Sequence, residues 1–88
     1  MDDVRLKKLK FRAWHRGFRE ADLILGPFAD SHADSMGEDE LAAFEALLEE
    51  NDHDIFGWIV GRESAPVQHQ PLIERLQTFR PAGAIHGA

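Results

Sequence analysis

The sequence has no cysteine, which excludes disulfides and thiolate metal sites. It has no apolar run near the roughly 18 residues that a membrane span needs. Residues Met1-Asp2-Asp3-Val4-Arg5 lack the apolar stretch of a signal peptide. A soluble, cytoplasmic protein without membrane insertion is therefore expected. Glycine-rich phosphate loops and dinucleotide fingerprints are also missing. The histidines, His15, His32, His53, His69 and His86, are dispersed, and none has the paired helical spacing of a metal site. Asp30, His32 and Asp34 are close in the chain, but alternate spacing makes a poor ligand set. No serine stands in a nucleophile setting. The carboxylates of Glu38-Asp39-Glu40 and Glu49-Glu50 read as a helix start and a solvated face. The expectation is no catalytic residue, no metal site and no cofactor bound by the chain itself.

Runs of β-branched residues with period two are lacking as well, so strands are not expected. What is present is helical spacing. At 88 residues the chain makes one domain with a modest core, since a chain of this size buries only about 60–65% of its unfolded surface. A helix over 3–15 places Leu6, Leu9 and Ala13 on one face and Val4, Phe11 and Trp14 on another, which predicts packing against more than one neighbour. A second helix begins near Phe18 and turns Ala21, Ile24, Leu25 and Phe28 inward. Pro27 should kink or restart it near Gly26. Residues 30–37 read as a helix end and loop. A third helix runs from Glu38 to about Glu50, with Leu41, Phe44, Leu47 and Leu48 inward. Asn51 breaks it, Asp52 reads as the N-cap of a short fourth helix over 53–60, and Gly61 as its C-terminal cap. Trp58 belongs with Ile55, Phe56 and Ile59 in the core. Residues 62–70 read as a loop, and Pro71 opens a fifth helix carrying Leu72, Ile73, Leu76 and Phe79. The expected fold is all-α: a compact five-helix domain over residues 1–80, followed by a flexible tail over 81–88.

The net charge of −6 is unevenly spread. Residues 1–20 hold seven of the ten Lys and Arg against Asp2, Asp3 and Glu20, a surplus of four positive charges. The other 68 residues hold Arg62, Arg75 and Arg80 against thirteen acids, a surplus of ten negative charges. A basic arm on an acidic body suggests an oriented electrostatic encounter with a partner. The alternative is a solvated helix face. The overall acidity argues against general nucleic-acid binding.

One stretch makes poor core material: Arg16-Gly17-Phe18-Arg19-Glu20. Gly17 separates two helical patterns and can take positive φ. Arg16 offers a planar donor fork for a carboxylate or phosphate. Glu20 falls in the first turn of the next helix, where a carboxylate suits the dipole. Two opposite charges would thus flank a bare backbone corner, as at a docking site. Alternatively Gly17 only ends a helix, and Arg16 and Glu20 form a local ion pair worth under about 1 kcal/mol.

These residues resemble the SdhE family of FAD assembly factors for succinate dehydrogenase, whose hallmark is R-G-x-x-E, here Arg16-Gly17-Phe18-Arg19-Glu20. The resemblance continues through Asp22-Leu23-Ile24-Leu25-Gly26-Pro27-Phe28 and through Leu47-Leu48-Glu49-Glu50-Asn51-Asp52-His53-Asp54-Ile55-Phe56-Gly57-Trp58-Ile59. It covers roughly residues 5–61. The chain departs from the family at His15, where many members carry another Arg, and at His53, where a Pro is frequent.

The resemblance implies a non-catalytic assembly factor. It would bind the flavoprotein subunit of succinate dehydrogenase, with the fumarate reductase flavoprotein as a second candidate. It would promote covalent attachment of FAD to a histidine of that subunit. All reacting groups, FAD included, would belong to the partner. The partner-binding residues so implied are Arg16, Gly17, Phe18 and Glu20, flanked by Arg12 and Asp22. A competing reading is a small helical adaptor, or a nucleic-acid-binding module that uses Lys7, Lys8, Lys10 and Arg12 on phosphate.

Overall fold

The computed structural model describes residues 3–79. The tail expected over 81–88 lies outside the described residues. Five helices follow in order: α1 (Asp3–Trp14), α2 (Arg19–His32), α3 (Glu38–Leu48), α4 (Asp52–Ile59) and α5 (Gln70–Thr78). Single 3-10 turns, Ala33–Ser35 and Val67–His69, precede α3 and α5. No strand occurs among the described residues, and the five-helix all-α expectation holds.

The helix ends follow local chemistry, with corrections to the expected boundaries. At α3 the Glu40 carboxylate reaches back to accept from the Gly37 N–H at 3.3 Å, and three acids line the first turn. Helix α4 is capped by Asn51, not Asp52: Asn51 Oδ1 accepts from the His53 N–H at 2.8 Å. Asp52 is thereby released for another use. Helix α4 ends in paired bonds, Arg62 N–H to the Gly57 carbonyl and Gly61 N–H to the Trp58 carbonyl. Gly61 takes φ +84° to make them. The segment 62–70 is not a plain loop, since its last residues wind into the 3-10 turn that leads into α5. Pro71 sits in the first turn of α5, where its missing N–H costs nothing.

Pro27 does not divide α2, which runs through it to His32. The proline withdraws a donor from the Leu23 carbonyl, and Leu23 lies on the exposed side of the helix. The opposite side is buried through Ala21, Leu25, Phe28 and Ala29, so continuing the helix keeps Phe28 and Ala29 in the core. Gly26 has its own reason. The Trp14 indole lies flat against it, and a Cβ at Gly26 would stand 2.3 Å from Trp14 Cδ2. Trp14 Nε1 then donates to Asp30 Oδ2 at 3.1 Å. Helices α1 and α2 therefore close on each other through a tryptophan seated on a glycine.

Leu6, Leu9 and Ala13 of α1 meet Leu25 and Phe28 of α2, Leu41, Phe44, Leu47 and Leu48 of α3, Ile55, Trp58 and Ile59 of α4, and Leu72, Ile73 and Leu76 of α5 in one core. Phe28 stands edge-on to Phe44 and Phe79. Trp58 is buried, as expected. Ile24 and Phe79 are only partly covered at the rim of this core. The second apolar facet of α1 stays largely exposed: Val4 and Phe11 are 59% and 64% exposed, Phe11 stacks on His15, and only Trp14 turns inward.

The basic arm is spent largely within the molecule, not held out for a partner. Arg5 grips Glu38 and Glu45 at 2.7–2.9 Å. Lys10 pairs with Asp34 at 3.2 Å, and Arg12 with Glu49 at 2.6 Å. The hydrogen bonds from Arg5 hold the Glu45 carboxyl below its ordinary value of 4.5.

Two outcomes follow from these contacts. A carboxyl whose folded pKa is depressed contributes stability above its unfolded value and loses it as pH falls through the folded value. Between pH 4.5 and lower values, urea titrations should therefore show the wild type losing stability that Arg5→Gln never had, so the two midpoints converge in acid. Gly26→Ala should cost about 1–3 kcal/mol by overpacking and shift the tryptophan emission, because the Trp14 ring must leave its seat.

Candidate functional site

The chain leaves α1 at Trp14 and enters α2 at Arg19, and Gly17 turns the corner at φ +89°. That φ favours glycine. A Cβ there would meet nothing within 4 Å, so the space outside the corner is open. The next residue, Phe18, is extended at φ −124° and leads into α2.

Arg16 does not project from this corner. Its side chain is 11% exposed and turned inward. Nη1 donates to the Leu48 carbonyl and Nη2 to the Glu50 carbonyl, both at 2.7 Å. Nε donates to Asp52, at the start of α4. The fork thus fills the junction between the C-terminal end of α3, where carbonyls lack helical donors, and the N-terminal end of α4, where a carboxylate is favoured. The backbone N–H of Arg16 donates to Asp22 Oδ1 at 3.0 Å, which ties the corner to the first turn of α2. Neither the free Arg16 charge nor a local Arg16–Glu20 pair is present. The partner of Arg16 is Asp52, 36 residues away.

The remaining residues of the motif divide by direction. Phe18 is half-buried and rests against His53 and Phe56 of α4, with ring centroids 4.8 and 5.3 Å apart. Arg19 and Glu20 are exposed, and neither makes an ion pair among the described residues. Asp22 faces the corner from inside, and Arg12 lies one turn back, held by Glu49. The structure therefore brings Arg16, Gly17, Phe18, Glu20 and Asp22 to one corner and leaves Arg12 on the flank of α1. Sequence reasoning missed His53 and Phe56 as the floor under Phe18. It also missed Glu50 and Asp52 as anchors of Arg16. The only available signal was the acid cluster 49–54, and nothing local to it indicates a partner at residue 16.

Two cavities of about 320 and 330 Å³ lie at Trp58–Gln77 and at Phe28–Phe79, and neither touches a residue of the corner. Among the described residues no group of three or more His, Asp or Glu side chains is placed to hold a metal. No described helix is long and apolar enough to cross a membrane.

Residues 7–80 match the model of a family described as Sdh5, flavinator of succinate dehydrogenase. The chain belongs to the Sdh5 family. It is 38% identical over 74 residues to the FAD assembly factor SdhE of Acetobacter pasteurianus, covering 83% of this chain and 68% of that protein. It is 39% identical over 72 residues to the mitochondrial succinate dehydrogenase assembly factor 2 of Cryptococcus neoformans, covering 80% of this chain and 41% of that one. The protein of the same name in Dictyostelium discoideum is 34% identical over 70 residues, covering 80% of this chain and 50% of its own length. No solved structure matches the chain. The matched stretch of the Sdh5 model includes the whole Gly17 corner and both helices that anchor Arg16.

Because Arg16 is an internal tie, Arg16→Ala should lower stability. The expected cost is about 2–3 kcal/mol, below the range for a fully buried pair, since Asp52 keeps 25% of its side chain in water. Arg19→Ala, three residues on, should stay within about 0.5 kcal/mol. Urea denaturation of the two variants checks the contrast.

Proposed function

We propose that this member of the Sdh5 family is an FAD assembly factor. It docks the Gly17 corner onto the flavoprotein subunit of succinate dehydrogenase and promotes covalent attachment of FAD there. The observation that carries this reading is the corner itself: a glycine with open space around it, locked from behind by Arg16, with Glu20 and Arg19 exposed beside it. A surface of this kind can approach a partner closely without rearranging. Such preorganisation lowers the entropic cost of binding and of holding a partner in a reactive geometry.

In this reading Arg16 and Asp22 shape the corner, whereas Gly17, Phe18 and Glu20 contact the partner and Arg12 borders the contact. The chain acts as an assembly factor and not as an enzyme. FAD and the histidine it joins belong to the partner, and the protein holds no flavin of its own. The fumarate reductase flavoprotein is a second candidate partner, and the cytoplasm is the proposed place of action. A nucleic-acid role would need Lys7, Lys8, Lys10 and Arg12 together. Lys10 and Arg12 are already engaged with Asp34 and Glu49, which leaves too little free positive charge for phosphate binding.

Two variants test the proposal. Gly17→Arg should keep a helical circular dichroism spectrum, because a side chain there meets open space, yet lose partner binding through strain and blocked approach. Glu20→Ala should weaken binding and flavinylation together, read as affinity in a titration and as covalent flavin fluorescence on the denatured subunit. Normal binding with no acceleration would give Glu20 a chemical role and end the docking account.

A further inference from the structure

The Gly17 corner is held by Arg16, and one anchor of Arg16 is itself held. Glu50 offers its backbone carbonyl to Arg16 Nη2 at 2.7 Å and its carboxylate to His69 Nε2 at 2.8 Å. An ionised carboxylate can only accept, so Nε2–H of His69 is the donor. His69 arrives from the 3-10 turn ahead of α5. Its side chain is 4% exposed, and its ring is stacked on Trp58 with centroids 5.7 Å apart. It is the one polar residue buried among the described residues. The Glu50 side chain keeps 37% of its surface exposed, so the buried His69 N–H is the partner left unsatisfied if this bond is lost, whereas the carboxylate would lose its fixed position.

We propose that His69 is a positioning residue for docking. Through Glu50 it fixes the backbone carbonyl that Arg16 grips, and so it fixes the corner that Gly17 shapes. The relay runs from the start of α5, through the end of α3, to the turn between α1 and α2. Its links join residues 19 and 34 positions apart. Two of its steps are hydrogen bonds, His69 to the Glu50 carboxylate and Arg16 to the Glu50 carbonyl, and the steps within Glu50 and within Arg16 are covalent. A shift of Glu50 is therefore felt at the guanidinium, and a shift of the guanidinium is felt at the adjoining turn. The proposal rests on the corner being the docking surface.

A burial role and a positioning role make opposite demands on position 69. A ring stacked on Trp58 needs only a ring, and His69→Phe keeps one while removing the donor. A donor aimed at Glu50 needs only the N–H, and His69→Gln keeps one at similar reach while removing the ring. Two readouts report on the corner: the nitrogen-15 NMR signal of Arg16 Nε–H, and hydrogen exchange of the Arg16 amide that donates to Asp22. A calorimetric titration with the purified flavoprotein subunit reports on docking.

His69→Phe should speed exchange of the Arg16 amide about tenfold and weaken docking by a similar factor, and His69→Gln should stay near wild type in both. The reverse ranking, with Phe near wild type and Gln impaired, would overturn the proposal and leave His69 a packing residue. Should His69→Phe fail to fold, Glu50→Ala tests the same link, since it keeps the carbonyl and removes the partner of His69. Unchanged Arg16 signals in that variant would also overturn it. Loosened Arg16 signals with unchanged affinity would uphold the relay and overturn docking at the corner instead.

Discussion

The fold turns on one guanidinium. Arg16 occupies the point where three helix ends meet: the C-terminal ends of α1 and α3 and the N-terminal end of α4. Helix ends carry unpaired backbone groups and partial charges, and bringing several together inside a small domain would be costly without a bridging group. A planar cation presents three separate nitrogens to two carbonyls and a carboxylate at once, a spread of donors that the single ammonium nitrogen of lysine does not have. Because the same residue adjoins Gly17, the interaction that closes the core also sets the outer contour of the turn. Stability and surface shape are thus linked through a single side chain.

The electrostatics of the rest of the molecule repeat this theme. A charge split of +4 over residues 1–20 and −10 over the remainder describes two halves that attract each other. Arg5, Lys10, Arg12 and Arg16 each find an acid on α3, on α4 or in the residues flanking α3. Most of these pairs are exposed and individually weak. Their common direction nonetheless orients α1 across the acidic helices, while the apolar face of α1 supplies the burial. The folded surface is correspondingly more acidic than the N-terminal sequence suggests.

Element type and order were legible because each rests on local rules. Gly37, Gly61 and Pro71 mark helix boundaries by their own backbone preferences, and the apolar spacing of 41–48 and 72–76 identifies buried faces. The errors arose where distant packing overrode those rules. Pro27 breaks isolated helices, but here the core on the far side of α2 keeps the helix continuous. Val4 and Phe11 have the pattern of a buried facet and stay largely exposed. The corner was legible as a place, through Gly17, and illegible in its division of labour. Whether Arg16 points inward or outward depends on carbonyls at Leu48 and Glu50, and a single sequence carries no record of that pairing. His69 was hidden for the same reason, since a lone histidine between two glutamines gives no sign of a carboxylate 19 residues earlier.

The side-chain contacts of Arg16 span 32 to 36 residues, and that separation has a consequence for when the surface comes into being. The Arg-Gly-x-x-Glu stretch is synthesised before the residues that anchor it, so its shape is borrowed from a part of the chain made later. A nascent chain emerging from the ribosome carries the motif's letters well before it carries the rigid contour. An N-terminal fragment ending ahead of α4 would have the letters without the contour. If the corner docks as proposed, recognition by contour would distinguish chains that have reached α4 from those that have not, as a consequence of topology.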